Sequence, residues 1–307
     1  MFPKVPDQHK VGKPLIPNGL GVLYVLTTTI FLFSIYFIDK LYKLGLDVSV
    51  NGVSAALTLA VCILFGGFMG LLDDWMDLKW RYKAFMPLIA ALPLMYYALE
   101  NPALRTSISI PFIGTIQFGE AYVFLIIPLI VMIVTNTVNQ LGGFNGLETV
   151  CSAIVLLGLT AISHSYAFLM VGPLIVWLIL ASLNVKGKIF VGNSGSFAIG
   201  MTIASFAVLS ELKFPLLISI LPYVFNSVLI LLTIFFVRKR AQIAFDGKKL
   251  VSGHRRSLVT LITYKRPMTE RRIVGTVTLI FAIFVIIAVI VTILQSSSIS
   301  IPVAAVY

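Results

Sequence analysis

Charged side chains are scarce in this sequence: Asp, Glu, Lys and Arg make up 11% of 307 residues, and only 12 residues are acidic. With 59% hydrophobic residues and a mean hydropathy of +1.01, that scarcity excludes a water-soluble globular chain. Cysteine is almost absent. Cys62 and Cys151 lie inside apolar runs and form no motif, which argues against a disulfide or a thiolate metal pair and leaves them as packing residues. His9 and His164 have no partner in the surrounding sequence and are expected at the surface. There is no short-period repeat. Nor is a cleavable signal peptide expected, because the first dozen residues are polar and the first apolar run is long enough to stay as an anchor.

What the chain has instead is a succession of uncharged stretches, each near the roughly 20 residues that cross a bilayer. Nine are expected, over 18–38, 53–72, 84–99, 121–138, 147–163, 166–183, 196–210, 214–237 and 273–294. The expected fold class is therefore an all-α polytopic membrane protein, with residues 1–307 as a single integral-membrane domain. Pro87 and Pro93 predict a kink in the short third span.

The basic residues are distributed unevenly. With a cytoplasmic N-terminus, 19 of 23 Lys and Arg fall inside, and only Lys40, Lys43, Arg105 and Lys213 fall outside. That asymmetry predicts the orientation and an odd number of spans. The net charge of +11 is then directed at anionic headgroups or phosphorylated substrates rather than nucleic acid. Ser107 to Glu120, alternating apolar and polar around Pro111 and Gly114, predicts a small extracytoplasmic hairpin.

Five polar segments share the expected cytoplasmic face, near 1–17, 73–83, 139–146, 184–195 and 238–272. The densest is Asp73-Asp74-Trp75-Met76-Asp77 with the basic tail Lys79-Trp80-Arg81-Tyr82-Lys83. Ionised groups at a membrane surface are tolerated when paired, bound to an ion or facing water. If the helix continues past Leu72, Asp73, Asp74 and Asp77 fall on one broad face and repel unless a divalent metal or the nearby cations join them. On spacing alone a solvated topogenic turn serves as well. Asn139 to Glu148 and Lys186 to Ser196 are rich in Asn and Gly. Such stretches usually cap helices, and Asn193 to Ser196 can cap the seventh span, but glycines also free backbone N–H groups for phosphate. Asn139 and Asn145 can offer carbonyl oxygens to a metal or pair with a base edge. Gly253-His254-Arg255-Arg256-Ser257 gathers donors suited to phosphate oxygens, or serves as a basic topogenic loop.

In this order the segments resemble the polyprenyl-phosphate N-acetylhexosamine-1-phosphate transferase family. The resemblance covers nearly the whole chain and is closest to the eukaryotic and archaeal UDP-GlcNAc:dolichyl-phosphate branch. It is carried by Leu72 to Lys83, by Asn139 to Glu148 with its Asn-Gly-Leu-Glu ending, by Ile16-Pro17 before a glycine, and by Phe190-Val191-Gly192. The resemblance implies a membrane enzyme in which a polyprenyl phosphate attacks the β-phosphorus of a UDP-N-acetylhexosamine, with magnesium, or manganese in its place, on the nucleotide pyrophosphate. It implies that Asp73 or Asp74 steers or deprotonates the lipid phosphate and that Lys83 contacts the pyrophosphate. Asp77 would complete the acidic wall of the substrate site. Asn139, Asn193 and Asp73 would hold the metal. Asn145 with Gly146 would recognise uracil, Phe190 would stack on it, and His254, Arg255 and Arg256 would grip phosphates. The implied partners are the UDP-sugar and a dolichyl-type lipid, with no nucleic acid; a homodimer is allowed. The implied location is the cell membrane of an archaeon, or the endoplasmic reticulum membrane of a eukaryote, with the site cytoplasmic.

Asn193 stands where the family usually has Asp, which keeps one oxygen but removes a charge, so metal affinity should fall unless another carboxylate compensates. The span that usually comes first in the family has no counterpart, hence nine. The competing functions are a lipid flippase or transporter and a non-catalytic relative that binds lipid or nucleotide sugar. The gathering of polar residues at one surface, not the midplane, weighs against transport.

Overall fold

The computed structural model describes residues 2–110, 114–238 and 243–299. The turn expected around Pro111, and Lys239 and Arg240 of the basic loop, lie outside these residues. The helices are α1 (Gly21–Tyr42), α2 (Ala55–Met76), α3 (Trp80–Ala90), α4 (Leu92–Glu100), α5 (Ile127–Asn139), α6 (Leu147–Ala161), α7 (Val171–Val185), α8 (Gly192–Leu209), α9 (Lys213–Ser219), α10 (Leu221–Leu232), α11 (Leu258–Ile262) and α12 (Glu270–Ile299). A wider turn at Tyr122–Ile126 leads into α5, a tighter one at His164–Met170 leads into α7, and Thr233–Val237 extends α10.

Each of the nine expected spans falls on helix among the described residues. Among the described residues, seven helical segments are long and apolar enough to cross a membrane, and α9 with the extended α10 makes an eighth if that pair, bent by 54°, is one span. At 15 residues, α6 is shorter than a full crossing. The protein is thus multi-pass and mostly helical. The expected kink is an interruption at Ala91, between Pro87 inside α3 and Pro93 in the first turn of α4; each proline withholds an N–H from the ladder.

The centre of the bundle is α8, whose residues from Ser194 to Leu209 are all buried. Lipid tails give apolar helices no reason to associate, so close packing of small residues must do so. The sequence supplies glycines at the contacts. A methyl on Gly66 of α2 would lie 2.9 Å from the Phe197 carbonyl, and one on Gly70 would collide with the Asn193 carbonyl. Gly21 of α1 meets Gly195, and Gly200 meets Thr135 of α5. Both cysteines are free and buried.

Among the described residues, four two-stranded hairpins decorate the helices. Strands β1 (Lys4–Pro6) and β2 (Leu15–Pro17) form an arm before α1, pairing Val5 with Ile16. Strands β3 (Ser49–Val50) and β4 (Val53–Ser54) lead into α2. The predicted hairpin is present as β5 (Ser107–Ile110) and β6 (Gly114–Gln117), with Ile108 opposite Ile116. It sits at the far end of the bundle, where the Lys213 ammonium reaches the Arg105 carbonyl and Glu211. Strands β7 (Ala244–Phe245) and β8 (Leu250–Val251) lie in the basic loop before α11.

Candidate active site

Helix α2 runs on to Met76, so Asp73 and Asp74 are helical and successive residues point about 100° apart. Asp73 is buried. Its Oδ1 accepts from the Lys83 ammonium at 2.7 Å and from the Leu78 N–H at 3.1 Å, while Oδ2 is buried without a hydrogen-bond partner. Asp77 leaves the helix in a left-handed conformation (φ 46°) and is exposed, yet stays 3.6 Å from Lys83. Asp73 and Asp77 therefore share Lys83, and the expected common face holds for them. Asp74 does not join it. Its Oδ1 accepts the Asn193 N–H at 2.9 Å and its Oδ2 the Ser194 N–H at 3.0 Å.

Those two bonds cap α8. Its first residue, Gly192, has φ +72°, a conformation that glycine adopts without strain, and a side chain there would meet Asp74 and the Gly19 backbone. No side chain from the segment before α8 caps it. The cap that Asn193 to Ser196 were expected to supply comes instead from α2, because a carboxylate satisfies two orphan N–H groups and the positive helix end together. Beside it, the Asn139 side-chain N–H donates to Asn193 Oδ1 at 2.9 Å. Segments 73–83, 139–146 and 184–195 thus converge on one point.

Two residues given no role from sequence reinforce that convergence. Glu148, in the first turn of α6, is buried with Oε1 unpartnered, against Ser196 and within electrostatic reach of Asp74. Asn184, at the end of α7, accepts from the Gly146 N–H at 2.8 Å and donates to the Ile189 carbonyl at 2.8 Å, tying the two Asn/Gly-rich segments together. Their sequence signal was weak, since a buried Asn in an apolar run looks like any other polar interruption.

A second cluster surrounds Asn145. Its amide N–H groups donate to Asp7 at 2.8 Å and Glu270 at 3.0 Å, and its backbone N–H to Glu270 at 2.9 Å. Lys10 pairs with Asp7 at 2.9 Å. His9 is not a loose surface residue: it lies flat on Phe144, ring centroids 4.3 Å apart. Burial holds the His9 imidazole below its ordinary pKa although Glu270 and Asp7 pull it up. Burial would raise Asp7, but the hydrogen bonds from Lys10 and Asn145 outweigh it and hold the carboxyl below its usual range. Among the described residues, Asp7, His9 and Glu270 are the one His/Cys/Asp/Glu group whose ligand atoms all lie within 4.8 Å of one another. Their oxygens, however, already face the Asn145 amide and Lys10. Phe190, half-buried, bonds through its backbone to Pro17 at 2.8 Å and Leu20 at 3.3 Å, fastening the arm to the start of α8.

The basic loop is folded rather than a loose string of charges. Ser257 and Thr260 form a reciprocal cap on α11, and the Leu258 N–H donates to Asn226 of α10 at 2.9 Å. Asn226 and Ser227 in turn hold Gln140, so the loop is anchored to the end of α5. Within it the Arg255 guanidinium lies 4.2 Å over the Tyr264 ring, His254 Nδ1 is 3.3 Å from Ser252 Oγ, and the Arg256 N–H bonds Thr260. Through Asn226, Ser227 and Gln140 these three residues are held at the end of α5 that carries Asn139.

A family model described as glycosyl transferase family 4 matches residues 55–211, from the first residue of α2 to just past α8, and so takes in both sides of the Asp74 cap. The chain belongs to that family. A Saccharolobus solfataricus protein, provisionally named UDP-N-acetylglucosamine–dolichyl-phosphate N-acetylglucosaminephosphotransferase, is 30% identical over 295 residues, 92% of this chain and 86% of its own. The Schizosaccharomyces pombe protein of that name is 27% identical over 267 residues, 72% of this chain and 58% of its own. A phospho-N-acetylmuramoyl-pentapeptide-transferase of Halalkalibacterium halodurans is 25% identical over 260 residues, 79% of this chain and 75% of its own. This member of glycosyl transferase family 4 thus has phospho-sugar transferases for relatives, and its matched region is the one that builds the convergence of Asp74, Asn139 and Asn193.

Proposed function

We propose that this chain transfers N-acetylglucosamine 1-phosphate from UDP-N-acetylglucosamine to a dolichyl-type polyprenyl phosphate, giving the lipid diphosphate sugar and UMP, with the N-terminus and the site in the cytoplasm. One observation carries the reading. Three segments far apart in sequence are hydrogen-bonded into a single acidic point at a helix N-terminus, through Asp74 to Asn193 and Asn139 to Asn193. The names of the archaeal and yeast relatives supply the substrates. Trp75, Trp80 and Tyr82, 82%, 60% and 61% exposed around the acidic box, suit the level where a lipid headgroup meets water.

In this reading an oxygen of the lipid phosphate forms a bond to the β-phosphorus while the bond from that phosphorus to the bridging oxygen breaks, and UMP leaves with the electron pair. The lipid phosphate is already anionic, so the work of the protein is positioning and charge stabilisation. Asp74 holds its place on the α8 N-terminus and steers the acceptor or takes its remaining proton. Lys83, held between Asp73 and Asp77, offers an ammonium to pyrophosphate oxygens. Asn145 faces the uracil and Phe190 stacks on it. His254, Arg255 and Arg256 close on phosphate from the basic loop.

The donors near Asp74 fit magnesium in kind, being hard oxygens: the unpartnered Asp73 Oδ2 and the side-chain oxygens of Asn139 and Asn193. Asp73 and Asp74 crowd negative charge that Lys83 only partly offsets, and the buried Glu148 beside them would add its own on releasing a proton to a bound ion. A bound ion would polarise the pyrophosphate as a Lewis acid. Glu148, ionised on binding the metal, would offset the charge missing at Asn193.

The test is to incubate purified protein with dolichyl phosphate, magnesium and radiolabelled UDP-N-acetylglucosamine. Labelled lipid and UMP should appear in equal amounts and stop with EDTA. Absence of both products from folded protein would refute the reading.

A further inference from the structure

The amide of Asn145 is held the same way round by two carboxylates. Its Nδ2 donates to Asp7 Oδ2 at 2.8 Å and to Glu270 Oε1 at 3.0 Å, and Glu270 also takes the backbone N–H of the same residue. Turning the amide over would set its oxygen against both carboxylates, so the group cannot invert without losing two charge-assisted bonds and gaining repulsion. Asn145 is 7% exposed, and its Oδ1 is buried with no hydrogen-bond partner. An amide oxygen fixed in place and left empty is a site waiting for a donor.

That oxygen borders the bare face of Gly187 (φ +65°). A side chain at Gly187 would meet both Asn145 Oδ1, at 3.4 Å, and the Lys10 ammonium. Lys10 is the group that must cede this space to a ligand. Its side chain is flexible and about one-third exposed, and its ion pair runs to Asp7, not to Asn145.

We propose that Asp7 and Glu270 set the base specificity of the nucleotide-sugar donor by fixing Asn145 as an acceptor only. This rests on the assignment of Asn145 to the base. Uracil presents N3–H as a donor; cytosine presents a lone pair on N3. An amide free to turn would serve both, as Asn and Gln do when nothing orients them. With Nδ2 claimed by Asp7 and Glu270, only the oxygen remains, and a cytosine would face it lone pair to lone pair. A site whose buried polar group finds no partner rejects the wrong ligand far more strongly than shape alone does. Asp7 and Glu270 are positioning residues that act through Asn145. They lie outside the matched family segment, on the arm before α1 and at the start of α12.

The experiment titrates the full-length protein in detergent with UMP and with CMP, without lipid acceptor, and reads the ratio of the two dissociation constants. Wild type should prefer UMP by about tenfold or more. Asp7→Asn and Glu270→Gln replace each carboxylate with an isosteric amide that can donate or accept. Each alone should reduce the ratio severalfold, and the two together should bring it to within about twofold of unity, through a gain in CMP binding. A merely structural role would weaken both nucleotides in parallel and leave the ratio intact; that outcome overturns the proposal. A gain in CMP binding also requires folded protein, and Glu270→Gln alone decides the matter if the double variant does not fold. Wild type that binds both nucleotides equally would refute the assignment of Asn145 to uracil, and this proposal with it. A preference for UMP that survives both substitutions refutes the proposal alone.

Discussion

Asp74 accepts the backbone N–H of Asn193 at 2.9 Å, so the first turn of α8 is held by a carboxylate from another helix, 119 positions earlier in the chain. One side chain thereby serves two ends: it fixes the origin of the central helix and stands at the point where the polar segments meet. Substitutions that separate those duties are informative.

Asp74→Ala should expose two N–H groups and cost about 1 kcal/mol of stability, the usual loss when a helix cap is removed. Asp74→Asn keeps an acceptor oxygen and should cost less than that. Both should lower transfer by about a hundredfold or more if the carboxylate acts on the lipid phosphate. Thermal unfolding in detergent, set beside UMP release, separates the effects; near-normal turnover by Asp74→Asn would reduce Asp74 to a cap.

Lys83→Met should strand the buried Asp73 carboxylate and destabilise by about 3 kcal/mol. Adding Asp73→Asn should restore much of the loss, giving a coupling of about 1 kcal/mol or more in a double-mutant cycle. Additive losses would show that the 2.7 Å contact contributes nothing of its own.

Asn193→Asp adds a carboxylate oxygen next to Asn139 and should lower the magnesium concentration for half-maximal rate by roughly tenfold, equivalent to about 1.4 kcal/mol. Glu148→Gln should raise it. A magnesium titration of the initial rate checks both, and no change in either variant would place the ion elsewhere.

Acid should loosen the arm of β1 and β2. His9 has its pKa below the ordinary 6.5 because burial opposes its charge, so its share of stability is present above that value and is lost as pH falls and the ring must charge. Asp7, held below 3.8, adds stability that is lost only at lower pH still. Hydrogen exchange of residues 4–18, corrected for intrinsic rates, should show protection falling from about pH 7 to about pH 5. His9→Phe keeps the stacking on Phe144 without the proton and should remain protected in that window.

Gly70→Ala would drive a methyl into the Asn193 carbonyl and should destabilise by about 1–3 kcal/mol while displacing Asp74. Gly275→Ala on α12 meets nothing within 4 Å and should be neutral or slightly stabilising. Equal effects would mean that α2 and α8 part easily.

The membrane class and the helical segments were legible because the uncharged runs admit no other fold, and Pro87 and Pro93 marked the break near Ala91. The acidic box stood out by its charge density. What escaped was anything that depended on which way a side chain turns. Asp74 and Asp77 look equivalent in sequence, yet helical rotation sends one to α8 and a left-handed residue leaves the other in solvent. His9 had no neighbour in sequence because its partner, Phe144, lies across a fold that periodicity does not specify. Asn184 closes an apolar run that gives its amide no evident partner, and Glu148, although it ends a recognisable motif, shows no role until α6 turns it towards Ser196. Sequence places the α8 cap in the segment of Asn193 itself, since it offers no means of seeing a carboxylate that arrives from α2.

The glycines that seat α8 against α1, α2 and α5 leave it no room to slide or turn, so the convergence at Asp74 is a fixed post around which the rest must adapt. Helix α12 is the opposite: only 22% of its apolar stretch is buried, and Gly275 faces open space. Under the proposed function, a long-chain lipid approaching Asp74 from the bilayer would displace the periphery but not the post. Bilayer thickness and chain order would then govern how often the acceptor arrives, and leave the chemistry after arrival untouched.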